Sequence, residues 1–318
     1  MSLLGRVVRL VCLTVLLGAL GCAGQGKGTD FPERFSFRFL SEFGTPGDRP
    51  GMFWEPGGIS VDPLGTVYVA DTGNHRIQRF DPEGGFVSQA GRFGWGPEDL
   101  NGPTDVCARS TLRIYVADAG NRRLQILDHG LNFVSSLGEG GASGSAVFLS
   151  VAGTTGGVVY VVDGEEDRVL GLNMDGVVER TFGGFGGGDE QLRRPTDLAI
   201  GRRGAVYVCD SGNHRVVRFD AFGTFRNALG EQDLLQPEGL DVSEEGAIFV
   251  ADTGHHRVLV FHRSGRVVAR LGTPGKGPGT FHRPRDVAVW QDVLYVLDSG
   301  NGRVQRFRID RGYAGEAG

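Results

Sequence analysis

Three aspartates stand two residues after a proline, in Pro103-Thr-Asp105, Pro195-Thr-Asp197 and Pro284-Arg-Asp286, and Glu238 directly follows Pro237. Carboxylates gathered at one site can hold a cation or act as acid and base. Three histidines, His75, His214 and His256, each precede an arginine; a histidine trio is a zinc pattern when the rings converge. Familiar catalytic signatures are missing. There is no Walker loop, His-Glu-x-x-His, Cys-x-x-Cys or Gly-x-Ser-x-Gly, and the nearest run, Gly141-Ala-Ser-Gly-Ser145, lacks the last glycine. No calcium loop of EF-hand spacing occurs. What these residues do therefore depends on the elements that carry them.

Those elements repeat. Tyr68-Val-Ala-Asp71-Thr-Gly-Asn-His-Arg76 recurs around Asp118, Asp210, Asp252 and Asp298, with a divergent copy, Tyr160-Val-Val-Asp163-Gly-Glu-Glu-Asp-Arg168. The Asp-to-Asp spacings are 47, 45, 47, 42 and 46 residues. A fixed period of this size marks a repeat architecture. Each copy predicts four short strands: one after the proline, a second at 66–70, a third at 76–80 and a fourth at 86–90, joined by Pro/Gly- and Asp/Gly-rich turns. Such short strands are stable when stacked radially, so that neighbours cover both faces. With 54 glycines in 318 residues, the composition suits many tight turns and disfavours helix, where each interior glycine costs about 1 kcal/mol.

The six copies resemble NHL repeats, which implies an all-β, six-bladed β-propeller over residues 35–311. The last copy runs out after its third strand, and residues 35–43 read as a fourth. The N-terminal strand is therefore expected to pair with the last blade and close the ring. Within this resemblance, peptidyl-hydroxyglycine amidating lyase carries zinc histidines directly after the strand-one proline. The matching residues here are Gly57, Thr104, Leu149, Thr196, Glu238 and Arg285, none of them histidine. That departure removes the zinc site and most of the case for lyase activity, and no cofactor is expected. Other NHL propellers bind RNA on a basic face or bind proteins.

Up-and-down strands put the inter-blade loops (91–102, 138–146, 183–194, 230–236 and 272–283) and the Asp-Gly-Asn-His-Arg turns on one face. The opposite face is expected to have tight turns only. Binding is expected on the long-loop face, through Glu238, Arg285 and His256, with Trp95 and Phe281 on the loops; Phe281 reads equally as a core residue between blades. Asp105, Asp197 and Asp286 fall on alternate blades at the channel rim, where Gly58, Ser150 and Gly239 fill the other places. That alternation fits capping of strand starts; the sharper reading is a cation or polar-ligand site. The histidines lie on separate blades, away from the axis, which disfavours zinc. The Asp and Arg present in every copy are expected to close turns and join blades. Cys107 and Cys209 read as small buried strand residues.

Arg6 and Arg9 precede an apolar run to Leu20, ending Ala19-Leu20-Gly21-Cys22. The run is short for a membrane span and fits a secretory signal. Its end resembles a bacterial lipobox, so residues 1–21 are expected to be removed and Cys22 lipidated. Ala23 favours the outer membrane. Residues 22–34 read as a flexible tether, and 312–318 as a C-terminal tail. The formal charge of −5 argues against nucleic acid, which needs a concentrated cationic surface. The sequence thus points to a non-catalytic scaffold at the cell envelope, contacting the membrane only through its lipid. Its expected partner is a protein, peptide or glycan. A lyase or hydrolase using the channel-mouth carboxylates is the alternative.

Overall fold

The computed structural model describes residues 32, 34–109, 113–138, 146–154 and 157–313. The expected signal, Cys22 and nearly all of the tether lie outside them. Six four-stranded antiparallel sheets follow one another along the chain, five of them simple meanders. Blade 1 consists of Gly58–Val61, Val67–Asp71, Arg76–Phe80 and Phe86–Ala90. The first strands of blades 2 to 6 are Pro103–Cys107, Phe148–Gly153, Pro195–Ile200, Pro237–Val242 and Asp286–Trp290. The protein is an all-β six-bladed propeller.

Burial follows from the stacking. The second strands of blades 1 to 5 are buried along their whole length, because a blade lies against each face. Within Val67–Asp71 the two-residue period divides the side chains. Val67 and Val69 pack with Tyr295 and Leu297 of blade 6, while Tyr68 and Ala70 pack with Val106 and Val116 of blade 2. An apolar cluster of this kind fills each of the six junctions. Each fully buried aliphatic side chain contributes roughly 1.5–3 kcal/mol.

Blade 6 takes its outer strand from the other end of the chain. Arg34–Phe43 pairs antiparallel with Arg303–Gly312, from Arg34↔Gly312 to Phe43↔Val304. The expected closure is present, and the partner strand is longer than the repeat required. Between Phe39 and Ser41 the register shifts by one residue, and a one-residue shift turns later side chains to the other face. Phe35, Phe37 and Phe39 accordingly pack in the blade 5/6 cluster, whereas Phe43 packs on Phe53 and Phe80 of blade 1. The closing strand thereby contributes to two junctions.

Four inter-blade loops share one shape, held by the bridges Pro46↔Phe53, Phe93↔Leu100, Phe185↔Leu192 and Pro274↔Phe281. The second member of each pair is fully buried and anchors its loop in the core. Phe281, read either as a loop contact or as a between-blade core residue, is the latter: it is 0% exposed and packs edge-on against Phe307, and a side chain filling a junction cannot also meet a partner.

Candidate functional site

The Asp and Arg of every repeat form a clasp around a fully buried carboxylate. In blade 1, Asp71 Oδ2 accepts from Arg76 Nε at 2.7 Å and Asn74 Nδ2 at 2.8 Å, and Oδ1 accepts the Trp54 N–H at 2.8 Å. Arg76 donates onward to the carbonyls of Asp48, Arg49 and Met52. The pair ties the incoming loop to its blade. The same Arg Nε–Asp contact recurs at Arg123–Asp118, Arg168–Asp163, Arg215–Asp210, Arg257–Asp252 and Arg303–Asp298, at 2.7–2.9 Å.

The repeat histidines occupy left-handed positions that end the turn, with φ of 55°, 57° and 56° at His75, His214 and His256. Each uses Nδ1 to accept the N–H of the residue before the next blade's proline: Gly102 at 2.9 Å, Gln236 at 3.1 Å and Arg283 at 2.9 Å. Divergent blade 3 keeps the contact with a different side chain, as Asp167 accepts from Arg194 N at 3.1 Å. His256, expected at a binding surface, therefore has a structural bond, and its ring stacks on His282 with centroids 5.4 Å apart. Among the described residues, no three or more of His, Cys, Asp and Glu stand close enough to share a metal ion. The lyase zinc does not fit the six matching residues at the start of strand one either, since none is histidine.

At the axis the alternation of Asp with small residues acquires a geometric reason. Asp105, Asp197 and Asp286 each reach to the following blade. Asp105 accepts from Val151 N at 2.9 Å, Asp197 from Leu240 N at 2.7 Å, and Asp286 from Ile59 N at 2.8 Å. The intervening residues must be small: a Cβ on Gly58 would strike the Asp105 carboxylate, and one on Gly239 the Asp286 carboxylate. Ser150 instead donates its hydroxyl to Asp197 at 2.6 Å. Asp105 and Asp286 also accept the N–H of the next residue in their own strands, Val106 and Val287, each at 2.7 Å, so capping occurs both within and between blades. Burial raises all three carboxyls, Asp105 to about 6, and mutual repulsion lifts Asp197 and Asp286 further, well above the ordinary range.

One layer further in, Ser60 accepts from Ala108 N, and Asp241 from Val289 N at 2.8 Å. Cys107 lies in this layer, accepting from Gly153 N at 3.4 Å; it and Cys209 are buried, free thiols whose pKa burial raises. Arg109, from blade 2, crosses the channel to pair with Asp241 of the opposite blade 5. Arg109 and Ser150 were not anticipated. Ser150 had a sequence signal, since it shares its slot with Gly58 and Gly239; Arg109 followed strand one without any repeat equivalent that flagged it.

The two ends of the channel differ. On the long-loop face Glu238 and Arg285 meet, with Arg285 Nε 3.1 Å from Glu238 Oε2 and Arg283 at 3.7 Å. They rim a hollow of only about 80 Å³, floored by the three aspartates. Beyond the aspartates a cavity of about 500 Å³ extends to the strand one–two turns of the opposite face, near Arg109, Thr154 and Arg203. The larger space therefore lies away from the face expected to bind. Trp95, by contrast, is on the long-loop face and 70% exposed, well apart from the channel lining.

Residues 53–80 and 192–219 match the NHL repeat family, and residues 231–317 match a family described as a 6-bladed beta-propeller. The chain is a six-bladed β-propeller carrying NHL repeats. A segment of 65 residues is 45% identical to Protein brain tumor of Drosophila melanogaster, covering 20% of this chain and 6% of that protein. Another of 48 residues is 52% identical to B-box type zinc finger protein ncl-1 of Caenorhabditis elegans, covering 15% and 6%. The chain thus spans a small fraction of these relatives' length. Among solved structures, a protein of unknown function from Bacteroides thetaiotaomicron superposes with a TM-score of 0.68 at 14% identity, over 87% of this chain and 76% of that one. Catalytically inactive virginiamycin B lyase from Staphylococcus aureus, with quinupristin, gives 0.59 at 13% identity, over 89% and 90%. PQQ-bound aldose sugar dehydrogenase from Streptomyces coelicolor gives 0.60 at 14%, over 88% and 100%. Likeness at these identities is likeness of fold, and this fold serves enzymes among others.

Proposed function

We propose that the chain is a non-catalytic binding or scaffold propeller that recruits a partner on its long-loop face. In this reading Cys22 carries a lipid and holds the domain at the periplasmic side of a bacterial outer membrane. The observation that carries it is the commitment of the repeat's chemistry. The Asp–Arg clasps, the histidines and the axial aspartates all hold neighbouring backbone, while Trp95, Trp54 and the Glu238–Arg285 pair present side chains on one face. Exposed aromatics and arginine are frequent binding anchors.

The test is co-purification of tagged protein from detergent-solubilised envelope, beside a Glu238→Ala/Arg285→Ala variant and a Cys22→Ala variant. A stoichiometric partner is expected with the parent and lost with the double variant. The melting temperature should hardly move, because exposed ion pairs contribute about 0–1 kcal/mol. Cys22→Ala should leave the membrane fraction. A partner retained by the double variant moves the site off the channel mouth, and no partner at all removes the reading.

The cavity of about 500 Å³ beneath the aspartates favours one second reading, a lyase or hydrolase. A carboxyl raised to about 6, as at Asp105, suits proton transfer near neutral pH. Turnover abolished by Asp105→Asn in a stably folded variant would establish it.

A further inference from the structure

The four loops of shared shape provide an internal control on Trp95. Each has the same tip hydrogen bond, from Gly47 N to Phe53 O, Gly94 N to Leu100 O, Gly186 N to Leu192 O and Gly275 N to Phe281 O. The residue that follows that glycine is Asp48, Trp95, Gly187 or Lys276. Loop closure therefore places no demand on the tip, and the indole at position 95 has no structural task there. It is nonetheless fixed in place. Its ring meets Phe93 edge-on at 5.0 Å, and Phe93 meets His75 at 4.9 Å.

Beside the indole runs a cleft of about 350 Å³ lined by Trp95, Pro97, Gly120, Asn121, Arg122 and Arg123, within the roughly 300–1,000 Å³ of small-molecule sites. Both of its arginines are committed to carboxylates, Arg123 to Asp118 at 2.9 Å and Arg122 to Glu165 at 3.0 Å. An anionic ligand would find no uncompensated cation here. An apolar peptide would find little besides Trp95 and Pro97 to cover. A flat ring beside polar side chains that offer both donors and acceptors suits an uncharged, polyhydroxylated ring. Its C–H face can lie on the indole while its hydroxyls bond to Asn121 and Arg122, which line the cleft.

We propose that the Trp95 cleft binds an uncharged glycan; this deepens the binding function proposed above and rests on it. The full chain is titrated with cello-, malto-, manno- and chito-oligosaccharides, followed by tryptophan fluorescence and calorimetry, beside Trp95→Lys and Trp95→Gly. These substitutions copy Lys276 and Gly187 of the sister loops, so an unchanged melting temperature is expected of both. At least one oligosaccharide should bind the parent saturably, and loss of the indole should weaken it about 30-fold, as expected for a hot-spot aromatic. No binding by any member overturns the proposal. Equal affinity in the folded Trp95 variants does so too, as does preference for polygalacturonate or for a proline-rich peptide. A chain that captures a protein partner but no sugar refutes the glycan alone; one that captures neither refutes both readings.

Discussion

The channel and the rim of long loops are made from the same repeats but use them in opposite ways. In the channel, Asp105, Asp197 and Asp286 each bond to the next blade's backbone, and Gly58, Ser150 and Gly239 are small to admit them. Around the rim, backbone and buried anchors hold the loop shape, leaving the tip free to be Asp48, Trp95, Gly187 or Lys276. Positions that recur with one chemistry serve the ring. Positions that vary on a constant backbone are where function has room to enter.

The largest effect should come from breaking a clasp. Asp210 is fully buried and accepts from Arg215 Nε at 2.8 Å and Arg193 N at 2.7 Å. Asp210→Ala strands Arg215 in the interior, and losing one partner of a buried pair costs about 3–5 kcal/mol. Urea unfolding should register this loss; a change under about 1 kcal/mol would show that the clasp is no more than a surface pair.

Acidity should separate the channel from the turns between strands three and four. Asp105 has a folded-state pKa near 6, against about 3.9 in the unfolded chain. Between about pH 4 and 6 the folded state holds a proton that the unfolded state has lost, so stability falls as pH rises through this window. Asp197 and Asp286, raised further, extend the fall to higher pH. Asp128 and Asp220, lowered by hydrogen bonds from Asn132 and Thr224 respectively, act oppositely and only below about pH 4. Thermal unfolding should show greater stability at pH 5 than at pH 7.5, and Asp197→Asn should flatten the dependence. A profile still rising from pH 5 to 7.5 would refute the assignment.

The smallest effect lies at the rim. Glu55, Arg194, Gln236 and Arg283 precede the strand-one prolines with φ near +50° (49°, 48°, 50° and 51°), where Gly102 stands in blade 2. Left-handed backbone costs a non-glycine residue roughly 1–2 kcal/mol, part of which glycine's greater unfolded freedom offsets. Gln236→Gly should therefore stabilise the protein by about 0.5–1 kcal/mol while preserving its N–H bond to His214. Chemical denaturation is the measure, and a destabilised variant would show that the Gln236 side chain contributes more than the strain.

The ring was legible because the same task is performed six times. Asp71 and its five equivalents, their arginines and the strand periodicity all announced themselves by recurrence, and the missing fourth strand of blade 6 pointed to residues 35–43. Single events were not legible. The register shift after Phe39 reads in sequence as one more residue in an alternating strand, and Arg109 reaches Asp241 across a space that no periodicity describes. The alternation of aspartate with small residues was visible, but its direction was not. Asp286 bonds to Ile59 at the far end of the chain, and only ring closure brings the two together. At the mouth, Glu238 and Arg285 fill the same slot of adjacent blades, which sets them side by side, while the volumes at the two channel ends depend on side chains from all six blades.

The strand exchange in blade 6 also sets an order of events in time. Arg34 cannot meet Gly312, nor Phe43 meet Val304, until the strand Arg303–Gly312 has left the ribosome. Closing so long a segment is entropically unfavourable, though each doubling of length adds only about 0.6 kcal/mol, and such distant pairings slow folding. The strand at Arg34–Phe43 is thus made before all the others of the ring and is among the last to be seated. Until then blade 6 has three strands, and Arg303–Gly312 keeps an unpaired outer edge.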